Sequence, residues 1–212
     1  MTLPRFFLTL GAGLALLGAA CKAPRSPSAG TPEAGGESAA AEYPHPRPKP
    51  AFTLTDTEGH PFPFRDSTAG FVTLLFFGYT NCPDVCPAQI ANIAAALHKL
   101  PDPVARQVKV VFVTTDPARD TPERLRAWLD HFDPGFIGLT GTQAAIDSAQ
   151  LAMHLPPAEK EVLPDGRYLM GHWAQVIAFT KDGMARFAFP FGTRQSEWAQ
   201  EIPRLVAYPA AP

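Results

Sequence analysis

The stretch 71–77, Phe-Val-Thr-Leu-Leu-Phe-Phe, is apolar or β-branched throughout and stops at Gly78. A strand with one face in water alternates polar and apolar residues, so a run without alternation reads as a strand buried on both faces in the middle of a sheet. A second run, apolar or β-branched apart from Lys109, occupies 108–115. Between them Ile90, Ile93, Ala94, Leu97 and Leu100 recur at helical spacing and make one apolar face. Two buried strands joined through a helix form a right-handed βαβ crossover with a parallel pair. Both strands then deliver their following loops to the same sheet edge, where open α/β folds place their ligands.

The first of those loops reads Gly78-Tyr79-Thr80-Asn81-Cys82-Pro83-Asp84-Val85-Cys86-Pro87. Proline is tolerated at the first helical position and disfavours helical geometry in the residue before it. This places the helix start at Pro87, Cys86 at or just before the cap, and Cys82 in the preceding loop. Both sulfurs then lie near the positive end of the helix dipole, where thiolate is favoured over thiol. Such a pair can cycle through a Cys82–Cys86 disulfide or hold a soft metal ion. Filling core is the remaining alternative, and two cysteines flanked by Pro and Asp in a turn are badly placed for it. The motif by itself does not choose between redox and metal. The second loop, Thr115-Asp116-Pro117-Ala118-Arg119-Asp120-Thr121-Pro122, puts Asp116, Arg119 and Asp120 beside the cysteines, while helix capping by Asp120 or Thr121 is the competing reading.

The remaining pattern fills in one domain. Short strands are expected at 52–55 and 61–64 around the turn 56–59, a helix at 121–132, a strand at 136–139, a helix at 142–151 and a loop at 156–164. A strand at 173–180, the turn Lys181-Asp182-Gly183 and a strand at 185–189 make a hairpin. A helix from about Thr193, kinked or shortened at Pro203, closes the chain. Strand, helix, strand, helix, hairpin and helix in this order give an α/β, thioredoxin-like fold, a central mixed sheet flanked by helices. In that arrangement His172, just before the hairpin, faces the cysteine loop, while a satisfied surface histidine at a strand start is the competing reading. Two thiolates and one imidazole suit copper(I), and copper(II) with an added donor. Met153, Met170 and Met184 are too scattered for a methionine-type copper site and read as core filler.

Ahead of the domain, residues 1–20 hold a single side-chain charge, Arg5, then an apolar stretch ending in Gly18-Ala19-Ala20-Cys21. Its length and small residues suit a secretory signal better than a full membrane span. It resembles a bacterial lipoprotein signal, in which the cysteine is lipidated and becomes the mature N-terminus, although Gly18 stands where leucine is usual. An uncleaved anchor is the alternative, and either way the body is tethered outside the cytoplasm. Residues 21–50, rich in Ala, Gly, Pro, Ser and Glu, read as a linker with polyproline II character, and 51–212 as the folded domain. A domain of that size needs no disulfide to fold. With Cys21 lipidated, the three cysteines leave only the pair Cys82 and Cys86. A net charge of −2 offers no electrostatic argument for nucleic acid.

The two loops, with His172 and the Lys181-Asp182-Gly183 turn, resemble the Sco (SenC) family of copper-binding, thioredoxin-like proteins of respiratory oxidase assembly. The core Cys82-Pro83-Asp84-Val85-Cys86-Pro87 is far more specific than a bare Cys-x-x-x-Cys. The resemblance implies that Cys82, Cys86 and His172 are copper ligands and that Asp116 supports the site. It implies a copper chaperone for the binuclear copper site of cytochrome c oxidase, with that subunit and other copper chaperones as partners. A membrane-tethered thiol:disulfide oxidoreductase, with Cys82 and Cys86 catalytic, is the enzyme alternative. The chain departs from the family at Gly171 and Trp173, where an acid and Ser or Thr usually flank the histidine, and at Asn81, where histidine is common.

Overall fold

The computed structural model describes residues 39–209, so the signal-type segment 1–20 and Cys21 lie outside the described residues. In chain order the elements are β1 (Ala41–Pro48), β2 (Thr53–Asp56), β3 (Pro61–Pro63), α1 (Phe64–Ser67), β4 (Val72–Gly78), α2 (Val85–Leu97), α3 (Asp102–Ala105), β5 (Val108–Thr114), α4 (Pro122–Asp130), β6 (Ile137–Thr140), α5 (Gln143–Ala152), β7 (Glu159–Val162), β8 (Tyr168–Gly171), β9 (Val176–Phe179), β10 (Met184–Phe189) and α6 (Gln195–Ala207). Eight strands form one mixed sheet in the order β1-β10-β9-β4-β5-β6-β2-β3, and β7 pairs with β8 in a separate ribbon.

The uninterrupted runs take the centre. β4 and β5 are parallel, in register from Val72 opposite Val108 to Gly78 opposite Thr114, and β9 lies antiparallel on the other side of β4. Successive side chains of a strand point to opposite faces. Leu74 and Phe76 therefore join Ile90 and Ile93 of α2, Leu125 and Leu129 of α4, and Trp198 and Ile202 of α6. Leu75 and Phe77 join Leu54, Phe64 and, from α5, Ile146 on the opposite face. Every residue of β4 is buried, which is why the run shows no alternation. The α/β, thioredoxin-like layout expected from the sequence is the one observed. No helix among the described residues is long and apolar enough to cross a membrane.

Some boundaries differ. The folded unit begins inside the expected linker 21–50, because Ala41–Pro48 forms an edge strand antiparallel to β10. An edge strand leaves one row of backbone groups unpaired and so tolerates proline, and the register shifts between Glu42 and Arg47, where Pro44 and Pro46 lie. Just beyond it Lys49, 4% exposed, donates to the Thr68 carbonyl at 3.0 Å, to Thr68 Oγ1 at 2.8 Å and to Thr73 Oγ1 at 2.9 Å. The domain thus starts before the expected Ala51. The expected loop 156–164 contains β7, and the first hairpin strand is confined to Val176–Phe179, leaving His172 in the segment between β8 and β9. α6 continues through Pro203 to Ala207, held to the core by Trp198, Ile202 and Leu205.

Lys49 has only neutral oxygens as acceptors, and burial, reinforced by the charge of Lys109, lowers its pKa to about 8. A lysine whose folded pKa lies below its unfolded value of about 10.4 loses its proton first in the folded state. In that window the unfolded chain binds more protons, so stability rises with pH from about 8 to about 10 and is insensitive to this group below it. Lys49→Met should flatten that rise in urea midpoints measured across the window. An unchanged slope would show that Lys49 does not titrate there.

Candidate metal centre

The cysteine loop starts where β4 ends, at Gly78. The Cys82 N–H donates to the Tyr79 carbonyl at 3.2 Å, and α2 begins at Val85 with Asp84 as its N-cap residue. The helix therefore starts two residues earlier than the proline suggests, with Cys86 and Pro87 both in its first turn. The first four N–H groups of a helix have no intrahelical acceptor, so the missing donor of Pro87 is tolerated there too. The Asp84 side chain makes no capping bond. Instead the Cys86 N–H donates to Cys82 Sγ at 3.4 Å, so the Cys82 sulfur stands as an acceptor at the positive end of α2.

His172 approaches from the β8–β9 segment, its Nε2 3.4 Å from Cys86 Sγ. Its Nδ1 lies 3.2 Å from the Trp173 carbonyl, a backbone acceptor in place of the side-chain partners that Gly171 and Trp173 do not supply. The ring is held edge-on by Phe76, at 5.8 Å and 86°, and by Tyr79, at 5.7 Å and 81°. The two sulfurs and an imidazole nitrogen all lie within 4.8 Å of one another. Cys86 is fully buried, and a Cβ at Gly78 would stand 2.8 Å from its Sγ and 3.0 Å from the Phe112 ring. Gly78 is thus the residue that lets α2 bring Cys86 against the sheet.

The two thiols are unequal. Cys82 is pushed well below the usual thiol range, first by hydrogen bonding from Cys86, then by His172 and the N–H groups of Cys86 and Asp84, against the opposing effect of burial. Cys86 is pushed up, by burial first and then by the hydrogen bond and negative charge of Cys82. The pair therefore holds one thiolate and one thiol, a nucleophile with its partner beside it. Once both are deprotonated, two sulfurs and an imidazole form a donor set suited to a soft ion such as copper(I).

Asp116 and Arg119 do not bond the cysteines or His172. The Asp116 carboxylate accepts from Arg119 Nε and, at 3.0 Å, from the Tyr168 hydroxyl, and the Arg119 guanidinium stacks on Tyr168 at 3.6 Å and lies 5.7 Å from the Tyr79 ring. Of these two rings, Tyr79 is the one that packs edge-on against His172. Thr121, not Asp120, caps α4, accepting from the Arg124 N–H at 3.3 Å. Asp120 is fully buried and accepts from the Thr80 N–H and from the hydroxyls of Thr80 and Thr114. Tyr79 and Thr80 are the residues that motif reading passes over, although their place between Gly78 and Cys82 is the signal that marks them. Met153 and Met170 are buried in the core, Met170 in the same cluster as Cys86, and Met184 is half-buried at the start of β10. A separate grouping of Asp56, Glu58 and His60 lies on the β2–β3 turn, where Asp56 Oδ1 accepts from the backbone N–H groups of Glu58 and His60.

A thiol pair and an imidazole at the carboxyl edge of parallel strands define a thioredoxin-like domain with a metal-type donor set. The SCO1/SenC family model matches residues 40–207, and the chain belongs to that family. It is 34% identical over 147 residues to Protein SCO2, mitochondrial, of Saccharomyces cerevisiae, across 68% of this chain and 47% of that protein. It is similar to the structure of Bradyrhizobium japonicum ScoI with copper bound, with a TM-score of 0.66 and 34% identity over 76% of this chain and 100% of that one. The apo Sco1 protein from Thermus thermophilus gives a TM-score of 0.72 at 28% identity, over 82% and 99% of the two chains. The chain spans about half the length of the yeast relatives it matches.

Two outcomes follow from this geometry. Iodoacetamide at about pH 5, well below the ordinary thiol pKa of about 8.5, should alkylate Cys82 and leave Cys86 unmodified, as read by peptide mass; equal labelling would contradict the asymmetry. Gly78→Ala should destabilise the fold by about 1–3 kcal/mol through overpacking, with the loss largest at the Cys86 contact, and an unchanged denaturation midpoint would show that α2 shifts freely.

Proposed function

We propose that the protein is a copper chaperone that holds copper through Cys82, Cys86 and His172 and delivers it to, or prepares, the binuclear copper site of cytochrome c oxidase. The observation that carries this reading is the convergence of three ligand atoms, from a loop, a helix start and a distant segment, within 4.8 Å. Three separate parts of the chain meet there with the donor chemistry of a soft-metal site. The similarity to the structure of ScoI with copper bound supports copper as the ion. In this reading the copper-site subunit of the oxidase receives the ion, other copper chaperones supply it, and lipid on Cys21 tethers the domain on the extracytoplasmic side of a cell-envelope membrane.

The thiolate of Cys82 beside the Cys86 thiol favours a second reading, a thiol:disulfide oxidoreductase that reduces cysteines of a partner protein. Against it stand the three-residue gap between the cysteines and the absence of proline from Asp165 to Phe189, the region where thioredoxins place a cis-proline next to their active site.

Cys82→Ser, Cys86→Ser and His172→Ala should each lower copper affinity severalfold or more, the cysteines most, because a ligand must be deprotonated sulfur or neutral imidazole. Unchanged affinity in all three removes the metal reading. A Cys82–Cys86 disulfide consumes both sulfur ligands, so titration of oxidised and reduced protein should show binding only in the reduced form. Rapid turnover of generic disulfide substrates would promote the oxidoreductase. Cys21→Ala should release a copper-competent protein from the membrane fraction, and full retention would point to an uncleaved anchor.

A further inference from the structure

We infer that Asp120 is a positioning residue for the cysteine pair: through Thr80 and Arg124 it fixes the loop that carries Cys82, and so sets how readily the two sulfurs close on each other or on one ion. This rests on the pair being the ligand and redox pair proposed above.

Asp120 is 0% exposed, and its acceptor oxygens are met by a backbone N–H and two hydroxyls. Oδ2 accepts from the Thr80 N–H at 2.9 Å and from Thr114 Oγ1 at 2.7 Å, and Oδ1 accepts from Thr80 Oγ1 at 2.5 Å. A buried carboxylate that loses one such donor bears its desolvation penalty uncompensated, so these bonds are strongly enforced. They tie the loop after β4 to the end of β5, where the Thr115 N–H also donates to the Gly78 carbonyl at 2.7 Å.

The ties continue outward to the neighbour of Cys82. Thr80 Oγ1 accepts from Arg124 Nε at 3.0 Å, and Arg124 Nη2 donates to Asn81 Oδ1 at 2.8 Å. Asn81, one of the residues that depart from the family pattern, is thereby held by α4. Cys86 needs no such device, because α2 and the core fix it. Cys82 precedes the helix, and its position relative to Cys86 is inherited from Thr80 and Asn81. A chelate and a disulfide both require that position, and a loop ordered in advance has already lost the freedom that closure would otherwise remove.

The test uses the full chain and two readouts. The first is the equilibrium with glutathione disulfide: the Cys82 thiolate attacks it and releases one glutathione thiolate, then the Cys86 thiol displaces the second glutathione, which leaves with the Cys86 proton. One protein disulfide forms as one glutathione disulfide is reduced. The second is copper(I) affinity. Thr80→Val, which removes a donor to Asp120 and the acceptor for Arg124, should lower both by roughly tenfold or more, the range for partners that orient ligands. Thr80→Ser should restore both. Leu54→Ala, in the core on the opposite face, should lower the denaturation midpoint and leave the glutathione equilibrium in place. A Thr80→Val equilibrium equal to that of the unaltered protein, or an equal shift from Leu54→Ala, overturns the inference. If Thr80→Val does not fold, Arg124→Met, which leaves Asp120 its three donors, must shift the glutathione equilibrium in the same direction or the inference fails. A shift in that equilibrium in a protein that binds no copper upholds the positioning role and removes the chaperone reading.

Discussion

The β4–β5 ladder is the constraint on which the rest depends. Because the two strands are parallel and in register to their last residues, the cysteine loop and the loop containing Asp120 leave the sheet side by side. Burial on both faces then leaves no solvent to satisfy the backbone at that edge, and the groups there must find one another. Thr115 donates to Gly78, Thr80 donates to Asp120, and the Cys86 N–H finds the Cys82 sulfur. The site is assembled from the polar requirements of a strand end that is otherwise closed by core.

The same economy explains the ligand asymmetry. Cys86 lies on the buried face of α2 and shares its surroundings with Ile90 and Phe112, so its thiol resists ionisation. Cys82 lies half-buried outside the helix, with N–H donors and a thiol aimed at it. One negative charge can be held there without metal, and a second needs a cation to accompany it. His172 meets this pair from another part of the chain, edge-on to the Phe76 and Tyr79 rings and with Nδ1 beside the Trp173 carbonyl.

What could be read from the sequence follows from which signals burial writes into it. Strands covered on both faces are apolar or β-branched at nearly every position, and 71–77 and 108–115, with Lys109 the one exception, announced themselves and their parallel pairing. His172 was legible from element order and from family resemblance together. The start of α2 was misplaced because proline is acceptable anywhere in a first helical turn. β1 was hidden by prolines that an edge strand accepts, and β7 by its wholly exposed Glu159-Lys160-Glu161-Val162, which has no buried face to impose alternation. The shared sheet edge placed Asp120 beside the cysteines, but its bond to Thr80 was not legible because Thr80 stands 40 positions away, and hydrogen bonds over that span leave no period in a sequence.

β1 gives the domain a mechanical polarity. Ala41 pairs with Ala188 near the end of β10, the end that lies beside the metal-site edge, and Pro48 pairs with Met184 at the opposite end. The chain preceding Ala41 therefore joins the fold at the edge that carries the sulfurs. A pull on that chain away from this edge loads the β1–β10 ladder along its length, with the Lys49 ammonium pinned beneath Thr68 and Thr73 at the far end. The bonds then share the tension in shear instead of opening one at a time, so a load on the N-terminal side of the domain is carried by the whole ladder without β1 peeling from the sheet.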